Sequence, residues 1–98
     1  MELGRVVGQV VATQKDEKLK GRKLLVVELL DEHLKPQGSH VVAVDSVSAG
    51  QSEVVIIVRG SSARQTTGLE KVPTDTSIIA IVDALEIGKK TVFEKAKA

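Results

Sequence analysis

The chain has 98 residues, no cysteine, and 14 basic against 13 acidic residues for a formal net charge of +1. A domain of that length buries only about 60–65% of its unfolded surface, so its own core is thin. The missing thiols exclude disulfide staples, cysteine-ligated zinc and a cysteine nucleophile, and the near-neutral charge gives no global field to draw in nucleic acid.

Phe93 is the sole aromatic residue, and sixteen valines and six isoleucines carry the apolar content. Such side chains are stiff at χ1 and favour strands, so a β-rich chain is expected. The opening MELGRVVGQ has an acid at Glu2 and a short apolar run, which does not read as a signal peptide. The first strand is predicted in RVVGQVVA (5–12). The charged stretch TQKDEKLKGRK (13–23) follows. Its mixed signs read as a solvated connection rather than a phosphate-tracking arm. The second strand is KLLVVELL (23–30) and the third HVVAVD (40–45). Between them KPQG (35–38) places Pro second and Gly fourth, the arrangement of a β-turn. SVSAGQS (46–52) is a loop of small residues. The fourth strand is EVVIIV (53–58).

Gly60 to Thr76 is the longest stretch without a strand pattern. Ser61 or Ser62 is placed to cap a short helix through SARQT, and Pro73 ends any helix before the next strand. SIIAIVDAL (77–85) is the fifth strand. IGKK (87–90) makes a hairpin turn, and TVFEK (91–95) closes the pattern. Apolar runs of about five residues fall far short of the roughly 20 that span a bilayer, so a soluble cytoplasmic protein is expected, as one domain over residues 1–98.

Five or six short strands in this length predict an all-β, OB-like barrel, with a sandwich as the alternative. A strand with one wet face alternates apolar and polar residues. VVIIV and IIAIV are apolar on both faces, and the chain has no room for helices to cover them. Another subunit is therefore expected over the outer face.

GSSAR (60–64) is the one segment with the residue types of a reactive or anion-binding site. Backbone N–H groups and Arg64 can bind a phosphate, but the glycine spacing and lysine of a P-loop are absent. Ser61 or Ser62 as nucleophile needs a histidine base, and Arg64 stands where a nucleophile elbow has its second glycine. His33 and His40 read as surface residues, and their spacing supplies no third ligand for a metal. Asp45 and Asp83 follow or interrupt apolar runs. Each is either a strand-end acid in water or a charge-paired acid at a subunit contact, with Arg59 or Arg64 as partner. A single-strand nucleic-acid binder of this fold stacks bases on aromatic side chains over a basic groove, and this chain offers neither.

The segments GRVVGQVVAT (4–13), LKGRKLLVVELLD (19–31), VVAVDSVSAGQSEVV (41–55), GSSARQT (60–66) and PTDTSIIAIVD (73–83) run in this order along nearly the whole chain. Together they resemble the EutN/CcmL family, the pentameric vertex proteins of bacterial microcompartment shells. The resemblance implies an OB-like five-stranded barrel with a short helix, assembling as a cyclic homopentamer beside hexamer-forming shell proteins. It implies no enzyme activity, no cofactor, no membrane and no nucleic-acid partner. It places Ser61, Ser62, Arg64 and Asp83 at the subunit interface, and Ser48, Ala49, Gly50, Gln51 and Ser52 at an axial pore rim. The family loop reads like VGAGxGE, and here serine stands at two of its glycine places. The tail KAKA (95–98) is expected to fray. The alternative function is a small OB-like binding module for a phosphorylated ligand or nucleic acid.

Overall fold

The structure, a computed structural model, describes residues 1–13, 17–19, 21–60 and 75–95. Among these described residues the β-branched runs form seven strands: β1 (Glu2–Val10), β2 (Lys23–Leu30), β3 (Pro36–Asp45), β4 (Val54–Arg59), β5 (Thr76–Ile81), β6 (Ala84–Ile87) and β7 (Lys90–Glu94). The first five close into a barrel in the order β1-β2-β3-β5-β4. β4 returns to β1 in antiparallel pairing, Glu2 opposite Ile57 and Arg5 opposite Val54. The barrel is sealed by a short parallel contact, Val44 opposite Ser77 and Asp45 opposite Ile78. A five-stranded barrel closed in this way is the expected OB-like architecture.

So small a barrel has an interior that side chains alone fill. Val6, Leu25, Val27, Leu29, Ala43, Val55, Ile57 and Ile78 form that core. Space inside is short enough to dictate Gly4: a Cβ there would collide with Val27 Cγ1 and sit 3.1 Å from the Glu28 carbonyl oxygen. The glycine lets β1 approach β2 where Val27 points inward.

Three local expectations are corrected. The run SIIAIVDAL is not one strand: β5 ends at Ile81 and β6 starts at Ala84; Val82 N–H to the Val54 carbonyl at 2.8 Å is the last bond toward β4, and the chain then leaves the barrel to pair with β7. The turn before β3 is not KPQG. Asp31 makes it, accepting at Oδ1 from His33 N (2.8 Å) and Lys35 N (2.9 Å), with Leu34 in the left-handed region at φ 63°. Pro36 already belongs to β3, and Gly38 (φ 83°) serves the register shift between Glu28 and Leu30. The charged connection after β1 contains a 3-10 turn, Glu17–Leu19, whose Leu19 packs on Val44 with Leu24.

β6 and β7 form a separate two-stranded hairpin that turns at Gly88–Lys89, as IGKK predicts, with Ile87 opposite Lys90. An isolated two-stranded hairpin is marginal in water. Lys95 N–H adds a last rung to the hairpin at the Asp83 carbonyl, 2.7 Å, and Lys95 Nζ ties the hairpin back to the barrel at Glu53 Oε2, 2.6 Å. Lys95, the first residue of the tail expected to fray, is therefore held; residues 96–98 lie outside the described ones.

Candidate functional site

The loop between β3 and β4 carries the most specific geometry among the described residues. Asp45 ends β3 with its side chain only 1% exposed. A buried carboxylate must be satisfied by donors, and the loop supplies them: Val47 N–H to Oδ1 at 3.0 Å and Ala49 N–H to Oδ2 at 2.9 Å. Lys23 Nζ stands 4.0 Å from Oδ2 and donates to the Ala49 carbonyl at 3.5 Å. Glu53 mirrors Asp45 from the far end, with Oε1 accepting from Gly50 N–H at 2.6 Å.

The barrel wall grips the same loop. Val6 N–H reaches the Glu53 carbonyl at 3.0 Å and Ser52 N–H reaches the Val6 carbonyl at 2.8 Å. Gln51 Nε2 donates to the Val7 carbonyl at 3.0 Å, Arg5 Nη1 to the Ser52 carbonyl at 2.9 Å, and Ser46 Oγ to the Ile78 carbonyl at 2.6 Å. These bonds hold Ser48 at φ 59° and Ser52 at φ 70°, where residues other than glycine are uncommon. They are the two places where the family pattern has glycine. The loop keeps a glycine-type backbone without the glycines.

Of the five expected rim residues, Ser48, Gln51 and Ser52 are exposed and Gly50 is partly so. Ala49 is buried in the barrel core, so its side chain anchors the loop. Glu53 has its carboxyl pulled below the usual range, first by Lys95 and then by the Gly50 N–H, and Lys95 is raised by the same contact. A cleft of about 220 Å³ runs beside this clasp, past Arg5, Ser52, Val82 and Phe93.

Asp45 is neither an acid in water nor a partner of Arg59. Arg59 instead forks onto Glu2 across the β1–β4 seam, Nε to Oε2 at 2.8 Å and Nη2 to Oε1 at 2.6 Å. Asp83 is exposed at the break between β5 and β6. Ser61, Ser62 and Arg64, with the short helix expected there, lie outside the described residues. His33 and His40 are exposed, with Nε2 of each within 4 Å of a glutamate: Glu32 at 3.9 Å and Glu28 at 3.7 Å. Among the described residues no group of three or more His, Asp or Glu is placed to hold a metal ion, and no helix is long and apolar enough to cross a membrane.

Sequence reasoning located this loop and singled out Asp45, without seeing its role as the acceptor for the loop's amides, and it missed Glu53. The available signal was the spacing D-S-V-S-A-G-Q-S-E, an acid at each end of a small-residue loop with free backbone donors between.

Residues 1–83 match the family described as ethanolamine utilisation protein EutN/carboxysome. The chain belongs to the EutN/CcmL family. It is 52% identical over 86 residues to the bacterial microcompartment shell vertex protein GrpN of Rhodospirillum rubrum, covering 88% of this chain and 97% of that one. It is 45% identical over 95 residues to the shell vertex protein EutN of Salmonella typhimurium, covering 97% and 96%. The solved structure of Gloeobacter violaceus CcmL superposes with a TM-score of 0.92 at 41% identity, covering 97% of this chain and 98% of that chain. The pentameric microcompartment shell protein GrpN of R. rubrum superposes with a TM-score of 0.80 at 49% identity, covering 89% and 100%. The EutN/CcmL match ends at Asp83, so the hairpin and Lys95 lie beyond it. The barrel and the braced loop fall inside it.

Proposed function

We propose that this EutN/CcmL chain is a structural shell protein of a bacterial microcompartment, in which five copies close into a ring at a fivefold vertex of the shell. The observation that carries this reading is the match to the pentameric shell protein GrpN over its whole length. The mechanism is geometric. A flat layer of hexagonal units cannot close, and fivefold positions supply the curvature. The neighbours at the vertex are hexamer-forming shell proteins, and the shell stands in the cytoplasm. A thin-cored domain gains from such assembly, because contacts that form only in the folded state add to its stability.

In this reading the chain does no chemistry. Ser48, Gly50, Gln51 and Ser52 rim the ring axis, held rigid by Asp45 and Glu53, with Ala49 as the buried anchor. Asp83 meets the adjacent subunit, as do Ser61, Ser62 and Arg64. The test is native mass. The monomer is 10.4 kDa, so five copies weigh 5 × 10.4 = 52 kDa. A dominant species of that mass by native mass spectrometry supports the ring. A monomer or a hexamer overturns the vertex role and leaves the barrel fold standing.

A further inference from the structure

Glu53 divides its two carboxylate oxygens between separate parts of the fold. Oε1 accepts from Gly50 N–H at 2.6 Å, inside the loop between β3 and β4. Oε2 accepts from Lys95 Nζ at 2.6 Å, at the end of the hairpin. Glu53 N–H also donates to the Gly50 carbonyl at 3.2 Å, so the turn at 50–53 is held from the backbone and from the side chain. The Glu53 side chain is 21% exposed. It lies largely within the fold, and a bond at either oxygen fixes the plane that the other oxygen presents.

The hairpin is set apart from the barrel. β6 and β7 form a sheet of their own. The chain makes its last bond to β4 at Val82, whose N–H reaches the Val54 carbonyl at 2.8 Å, and Asp83 is exposed where it departs. Lys95 N–H closes the hairpin on the Asp83 carbonyl at 2.7 Å, so both of its ends meet at one place beside the start of β4. Phe93 on β7 lines the cleft of about 220 Å³ together with Val54 and Val82. A gap of that size forfeits part of the apolar contact that would otherwise fix the hairpin to the barrel wall. The bond from Lys95 to Glu53 spans from the hairpin to the wall at this open side.

We infer that Glu53 is a latch that couples the seat of the β6–β7 hairpin to the order of the turn at Gly50. Ordering a glutamate side chain costs conformational entropy. That cost is met once for both bonds, so each bond makes the other easier to keep, and the coupling is reciprocal. A contact that lifts the hairpin loosens the turn, and a contact that orders the turn seats the hairpin. The coupling belongs to the single chain. On the ring reading, the loop on which it acts borders the axis.

Amide hydrogen exchange, read residue by residue by nuclear magnetic resonance, tests the latch in both directions. Lys95→Met keeps a long side chain and removes the ammonium. The Gly50 amide should then exchange about two- to fivefold faster, the range that an exposed ion pair supports. The Ala49 amide, bonded to Asp45 Oδ2, should exchange as in the parent protein. Gly50 should also keep its parent rate in Lys89→Met, a control at the exposed hairpin turn. Glu53→Gln leaves an acceptor for Gly50 and removes the charge that holds Lys95. The Lys95 amide, on the Asp83 carbonyl, should then exchange about two- to fivefold faster. These substitutions spare the barrel core, so the fold should stand, as far-ultraviolet circular dichroism will report. A Gly50 amide that is unchanged or slower in Lys95→Met overturns the latch. So does equal acceleration at Gly50 and Ala49, or an unchanged Lys95 amide in Glu53→Gln. Native mass keeps the two readings apart. A parent ring whose Gly50 ignores Lys95→Met loses the latch and keeps the ring, and a monomeric parent whose Gly50 responds loses the ring and keeps the latch.

Discussion

Ser48 and Ser52 allow the structure to be tested through an increase in stability. Both sit at positive φ, 59° and 70°, and holding a non-glycine residue there costs about 1–2 kcal/mol. Among the described residues neither hydroxyl joins the bonds that brace the loop, which run through backbone groups and the side chains of Asp45, Glu53, Gln51, Arg5 and Ser46. Glycine at either place therefore relieves strain and removes no bond. It also loosens the unfolded chain, at a cost of about 0.5–1 kcal/mol. The net expectation is a gain of about 0.5–1 kcal/mol for each of Ser48→Gly and Ser52→Gly. The two should add within the usual error if they act independently. Urea unfolding at one fixed protein concentration is the assay, because assembly shifts apparent stability with concentration. At about 1 kcal/mol per molar urea, each midpoint should rise by about 0.5–1 M with an unchanged slope. Gly50 gives the contrast. Its φ is not positive, and a Cβ there would lie 3.2 Å from Glu53 Oε1, so Gly50→Ala should gain nothing. A lower midpoint for either serine variant would refute the account of the loop.

Two further outcomes follow from the barrel and its ion pairs. Gly4→Ala forces a methyl group against Val27 inside a filled barrel; overpacking of this kind costs about 1–3 kcal/mol, and an unchanged urea midpoint would show that β1 can move away. The carboxyls of Glu2, Asp31 and Glu53 are all held below their ordinary values, Glu2 mainly by Arg59 and Asp31 mainly by the Lys35 N–H. A depressed carboxyl adds stability that is fully present above its unfolded value and is lost as pH falls through the folded one. The stability these groups add should thus hold from neutral pH down to about 5 and decline below that. Glu2→Gln with Glu53→Gln should flatten the acid limb, and an acid limb unmoved by the pair would show that these contacts do not persist in solution.

The sequence by itself determined the class of fold. β-Branched runs broken by small and charged residues report strands because χ1 stiffness and turn chemistry act locally. That reasoning found the five barrel strands, the hairpin turn at Gly88–Lys89 and the loop at 46–52. It failed where a long-range bond decides. Ile81 and Val82 still pair with β4 in the barrel while Ala84 onward pairs with β7 in a second sheet, and local pattern cannot see that change of partner, which is why SIIAIVDAL reads as one strand and is two. Asp45 reads as an acid near water because periodicity cannot see that β5 and the loop close over it. Lys95 reads as the start of a loose tail because Glu53 is far away in sequence. Local chemistry names the elements. The closure of the sheet decides which side chains meet, which are buried, and which remain for a neighbour.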